Sequence, residues 1–182
     1  LLWGGAPESE DLVQEVASER QVVSSIGDGG EGRAAGDEEN FTVLVPVSRL
    51  ERATDHARLA SRIASLYDET PVVRVLNTVD VPDQADSTAF LDTAEERTNR
   101  LEDDLAGIES EVDADLLVEG HVSRDVAFDI LRTAREEEVD RILMGIPDAH
   151  PDITEQVEYE APCDTLFVGS GEQPGDLSRV TI

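Results

Sequence analysis

The chain has 182 residues, enough for one domain of ordinary size and a remainder outside it. Forty-two acidic residues against fourteen basic ones give a formal net charge of −28, and every basic residue is an arginine. That charge argues against nucleic acid and anionic lipid as partners. Apolar-periodic segments beyond residue 40 exclude wholesale disorder, and no run approaches the roughly 18 apolar residues of a membrane span.

The acid reads as a surface adapted to molar salt, where a Debye length of about 3 Å screens carboxylate self-repulsion. The single Cys163 excludes an internal disulfide and fits a reducing, cytoplasmic setting. No signal-peptide pattern is present. The chain starts on Leu1, which reads as the start of a fragment or processed product.

In chain order, residues 1–26 form an acidic segment in which Leu12, Val13 and Val16 mark one side of a short helix. Residues 27–40, "GDGGEGRAAGDEEN", read as a glycine-rich flexible linker, so order is expected to begin at Phe41. "FTVLVPV" (41–47) is a β-branched apolar run and predicts a strand. In 51–67, Ala53, Ala57, Ala60, Ala64 and Tyr67 stand three and four apart, a helical stripe. "PVVRVLNTV" (71–79) is a second strand, and Leu91, Ala94, Thr98, Leu101, Leu105 and Ile108 predict a long helix. A third strand covers 114–120. Ser123 is placed to cap the next helix, with Asp125 in its first turn and Val126, Ala127, Ile130, Leu131 and Ala134 on its buried side. "RILMG" (141–145), a short helix over 152–160 and "DTLFVG" (164–169) complete the domain, which spans 41–170; 171–182 is a polar tail.

Strands alternating with helices demand right-handed crossovers and a parallel sheet covered on both faces. The expected architecture is an α/β three-layer sandwich with a five-stranded parallel sheet of flavodoxin-like order 3-2-1-4-5. Its switch point lies between the first and fourth strands, so a ligand crevice opens above Val47 and Gly145.

No Walker-type loop and no GxGxxG is present. Ser48 ends the first strand; capping the helix from Leu50 onward is favoured over a ligand contact. Gly120 permits either a tight turn or close approach of a ligand, and turn geometry explains it equally well. "DAHPD" (148–152) offers metal-like residue types, with His56 and His121 elsewhere, but a zinc site wants three or four converging ligands. A solvated loop is the stronger reading. No Ser–His–Asp or Cys–His pairing can be argued, and Cys163 reads as a small packed hydrophobe. The chain is therefore not expected to be an enzyme.

"TVLVPVSRLERATDHARLASRIASLY" followed by "PVVRVLNTVDVPDQ" resembles the first half of a universal stress protein domain. "LLVEGHVSRDVAFDILRTAREEEVDRILMG" resembles its second half, and "EAPCDTLFVG" its last strand. The resemblance implies the adenine nucleotide alpha-hydrolase-like sandwich and a homodimer through strand 164–169. ATP-binding members carry an aspartate just after the first strand and a glycine-spaced loop after the fourth. Here Ser48 stands at the aspartate position, and no glycine follows Gly145 until Gly169. Pro147 and Pro151 lack the N–H that a phosphate cradle needs, and Asp148 and Asp152 repel phosphate. No cofactor is expected, although an adenosine-sized pocket for ATP or AMP remains open as an alternative. Its residues would be Pro46, Val47, Ser48, Val75, Gly120, His121, Met144 and Gly145. "SRLERATDHARLASRIA" with "VDVPDQ" further resembles the domain appended to amino-acid permease-type transporters of salt-loving archaea. That implies a non-catalytic regulatory tail on the cytoplasmic side of a transporter. The missing Lys and Arg near the start run against it, because cytoplasmic flanks usually carry positive charge.

Overall fold

The computed structural model describes residues 19–26, 39–146 and 151–169. Strands are β1 (Glu19–Ile26), β2 (Asn40–Pro46), β3 (Thr70–Asp80), β4 (Asp115–Ser123), β5 (Arg141–Gly145) and β6 (Asp164–Val168). Helices are α1 (Ala53–Ala64), α2 (Leu91–Ala106), α3 (Val126–Glu136) and α4 (Pro151–Glu160). The sheet order is β1-β4-β3-β2-β5-β6. Strands β2 to β6 pair in parallel and reproduce the expected 3-2-1-4-5 arrangement.

The first strand is the correction. Order was expected from Phe41, with a short helix upstream, yet Glu19–Ile26 adds an antiparallel strand to the free edge of β4. Its register runs from Glu19 opposite Val122 to Ile26 opposite Leu116, with an irregularity between Glu19 and Val22. An edge strand of this kind is specified by the ladder it joins as much as by its own pattern, so "ERQVVSSI" gave little local signal. The remaining expectations upstream (Leu12, Val13, Val16, and the linker as far as residue 38) and the tail from 171 lie outside the described residues.

Alternation along each strand sends side chains to two faces. On one face α1 lies flat on the sheet because its inward stripe is alanine. Ala53, Ala57, Ala60 and Ala64 are fully buried against Val43, Val45, Val73 and Val75. Leu101 and Leu105 of α2 complete that core. On the other face Ala127, Ile130, Leu131 and Ala134 of α3 pack on Leu44, Leu76, Ile142 and Met144, with Val157 from α4. The cap of α3 differs from the expected one. Asp125, not Ser123, is the N-cap, its Oδ1 accepting from Phe128 N–H at 2.9 Å. The Ser123 hydroxyl is turned back on Asp125, donating to its carbonyl and accepting from its N–H. The same helix ends with Glu138 at φ 48 and with Val139 N–H donating to Ala134 C=O at 3.0 Å. That is a left-handed helix stop occupied by glutamate where glycine is the usual choice.

Candidate functional site

At the carboxyl ends of β2 and β5 the chain leaves the sheet in opposite directions: β2 leads to α1, β5 to α4 over the other face. The split between these exits opens a cleft of about 350 Å³, within the range of small-ligand sites. Its floor is apolar: Leu76, Met144, Ile130 and Val126, with Ile146 and Ile153 at the rim. One wall is cationic. The turn after β2 and the start of α1 place Arg49, Arg52 and His56 on the cleft. Thr78 from β3 and Thr154 from α4 add hydroxyls.

Of the eight residues predicted for a pocket, Pro46, Val47, Ser48, Met144 and Gly145 line this cleft together. The other three do not. Val75 is fully buried in the core beneath α1 and α2. Gly120 sits beneath α2, where a Cβ would collide with the Thr98 hydroxyl; close helix-to-sheet approach, not a ligand, requires glycine there. His121 is buried on the opposite face, beneath α3. Ser48 does not cap the following helix as expected. The turn Leu50–Arg52 starts from Arg49 with no side-chain cap, and so does α1 from Arg52. Ser48 is exposed on the cleft wall instead.

Two residues that the sequence reading passed over hold that wall in place. Asn77 is fully buried on β3, and its Nδ2 donates to Val47 C=O at 2.8 Å. Arg97 of α2 donates through Nε to Asn77 Oδ1 at 2.9 Å and through a terminal nitrogen to Ser48 C=O at 3.0 Å. The turn that carries Ser48 and Arg49 is thus tied to two elements before any ligand arrives. The wall had a legible signal: the cations Arg49 and Arg52 and the imidazole of His56 stand three and four apart, one helical stripe, in a chain with few cations. The His56 ring lies against the backbone of Gly145, where a Cβ would come within 3.0 Å of Cε1. Burial, and then the neighbouring Arg52, push its pKa down, with Asp55 opposing weakly, so the neutral ring is favoured.

A second polar cluster lies beneath α3. Asp129 is buried and accepts from His121 Nδ1 at 2.9 Å, from Arg132 at 2.6 Å and from the Thr78 hydroxyl at 2.8 Å. Because an ionised carboxylate only accepts, His121 carries its hydrogen on Nδ1. Burial alone would raise the Asp129 carboxyl; the His121, Arg132 and Thr78 contacts outweigh it and hold the carboxyl below its ordinary value. Glu119, fully buried beside His121, pairs with Arg74, which also reaches Glu137 at 2.5 Å. Thr78 is where this cluster meets the cleft.

The predicted metal-like loop falls largely outside the described residues, at 147–150. Among the described residues no three His, Cys, Asp or Glu side chains converge as metal ligands, and His56 and His121 lie on opposite faces of the sheet. Cys163 packs against the α3–α4 core, and burial pushes its thiol pKa up, away from a reactive thiolate.

Compared with solved structures, the chain is similar to the universal stress protein UspA from Lactobacillus plantarum. The two are 20% identical, with a TM-score of 0.55, over 70% of this chain and 97% of that one. A universal stress family protein from Burkholderia pseudomallei is 21% identical over 70% of this chain and 94% of its own, with a TM-score of 0.50. The chain has the universal stress protein fold. A universal stress family protein from Arabidopsis thaliana, solved with AMP bound, is 12% identical over 75% of this chain and 96% of its own, with a TM-score of 0.49. No protein-family model matches the sequence, and no curated protein matches it. Among the described residues no helix is long and apolar enough to cross a membrane.

Proposed function

We propose that the chain is a non-catalytic regulatory domain of the universal stress type, whose cleft takes a small organic anion of the nucleoside monophosphate class. The observation that carries the reading is the cleft's two-sided chemistry: an apolar floor of Leu76, Met144 and Ile130 beside a wall bearing Arg49, Arg52 and His56. A flat apolar body with one anionic end suits that surface. A triphosphate suits it less, because the stretch after Gly145 has prolines at 147 and 151, aspartates at 148 and 152, and no glycine before Gly169.

Isothermal calorimetry in molar salt with AMP and with ATP tests this. Saturable AMP binding is expected, with ATP weaker and with Arg52→Ala reducing AMP affinity several-fold. ATP binding tighter than AMP would sink the reading.

The cellular setting rests on the sequence resemblance to domains appended to amino-acid permeases of salt-loving archaea. We propose that this domain is such a cytoplasmic tail, tethered to a membrane transporter, and that it dimerises by pairing copies of β6, whose outer edge has no neighbouring strand among the described residues. The alternative is a free-standing nucleotide-binding stress protein. The upstream reading frame separates them: membrane helices before Leu1 support the tether, a start codon shortly before it refutes it. Sedimentation at increasing concentration checks the dimer, and a charged substitution at the half-exposed Leu166 of β6 is expected to yield monomer.

A further inference from the structure

The cleft's ligand contacts have a fixed polarity at one point, Thr78. This residue lines the cleft from β3 while its hydroxyl hydrogen is already donated to Asp129 at 2.8 Å. Asp129 cannot return a hydrogen. It is buried, it also accepts from His121 Nδ1 and Arg132, and every one of those partners is a donor. A hydroxyl has one hydrogen and two lone pairs, so Thr78 meets a ligand only as an acceptor. The wall formed by the turn after β2 and the start of α1 carries Arg49 and Arg52, whose guanidinium groups are donors without acceptor capacity. The cleft therefore reads two different signs of hydrogen-bonding group at two places.

We infer that Thr78, oriented by the Asp129–His121 pair, is a specificity-determining residue that selects ligands presenting an N–H or O–H donor toward β3 while their anionic group lies at the α1 wall. This rests on the reading of the cleft as a small-anion site and narrows the class it takes. A ligand with an acceptor at the Thr78 position places two oxygen lone pairs against one another and leaves both without a hydrogen. A site built to satisfy a donor discriminates strongly against an analogue that lacks it. Asp129 and His121 act through Thr78 and are positioning residues; neither lines the cleft.

The experiment is calorimetry on the full chain in molar salt, with AMP and three analogues that each lack one donor: the exocyclic amine, the 2′-hydroxyl or the 3′-hydroxyl. Each is titrated into the wild type, Thr78→Ser and Thr78→Val. Thermal melts confirm that the variants remain folded, since His121 and Arg132 still satisfy Asp129 in both. Thr78→Val is expected to weaken AMP about three- to tenfold, the worth of one neutral hydrogen bond, while Thr78→Ser stays within about twofold. One analogue, the one whose missing donor faces Thr78, is expected to bind the wild type and Thr78→Val alike. Equal AMP affinity in wild type and Thr78→Val overturns the inference and leaves the small-anion reading standing. A uniform loss for AMP and all three analogues assigns Thr78 a purely structural role and also overturns it. If AMP does not bind the wild type, the reading of the cleft itself fails and takes this inference with it.

Discussion

The two faces of the sheet solve the problem of burial in opposite ways. Beneath α1 and α2 the interior is mainly apolar, with four alanines laid on four valines and only uncharged polar groups, Asn77, Thr98 and Ser61, fully buried beside them. Beneath α3 the same sheet carries Arg74, Glu119, His121 and Thr78, closed over by Asp129 and Arg132. The first face derives its stability from area removed from water and tolerates no extra volume. The second contributes little net stability from its charges, since desolvation offsets most of their attraction, but it is costly to break. It also gives each group a defined donor or acceptor role, and through Thr78 it passes that definition to the cleft.

Removing the centre of the polar face gives the largest expected effect. Asp129→Ala strands three donors and is expected to cost about 3–5 kcal/mol, read as a shift in the chemical denaturation midpoint. Acid probes the same group. Its folded carboxyl lies below the unfolded value, so its stabilisation is present above about pH 4 and lost as pH falls through the folded value. Wild-type stability should therefore drop steeply below pH 4, and Asp129→Asn should flatten that slope. An unchanged acid limb in Asp129→Asn would remove Asp129 from the account.

The apolar face is probed by volume. Gly120→Ala drives a methyl into Thr98, a buried side chain whose hydroxyl is held by Ala94 C=O, and should cost about 1–3 kcal/mol. A thermal melt with no loss would show that α2 can lift off the sheet freely. The smallest effect is expected at the cleft itself. Gly145→Ala meets only the edge of the His56 ring, which can yield by the few tenths of an ångström required. Its cost should be below about 1 kcal/mol, with the change appearing in AMP affinity instead. A large loss of stability there would mean that His56 is fixed by structure and unavailable to a ligand.

The apolar face was open to pattern reading because alanines at 53, 57, 60 and 64 and leucines at 101 and 105 obey a helix's own period. Burial then follows from local arithmetic. The cleft's backbone was legible for a similar reason: a parallel sheet of this order places its opening above Val47 and Gly145. Its side-chain chemistry was not. Asn77 and Arg97 are twenty residues apart and meet Val47 and Ser48 only through the sheet register. Strand β1 was missed because an edge strand takes its identity from the ladder it joins. His121 and Gly120 were assigned to the cleft because they end a strand near it, but alternation along β4 sends Gly120 beneath α2 and His121 beneath α3.

From the amino-acid order alone come the helices of the domain, the five parallel strands, their sequence in the sheet and the height of the crevice. Each depends on periodicity or on the handedness of the crossovers, and these are local properties. Only the tertiary structure decided which polar groups meet: that Thr78 donates to Asp129, that Arg97 holds the turn of Ser48, and that Arg52 and His56 face an apolar floor. A hydrogen bond depends on position to within a few tenths of an ångström, and residues far apart in sequence reach that precision only after the sheet and helices have packed.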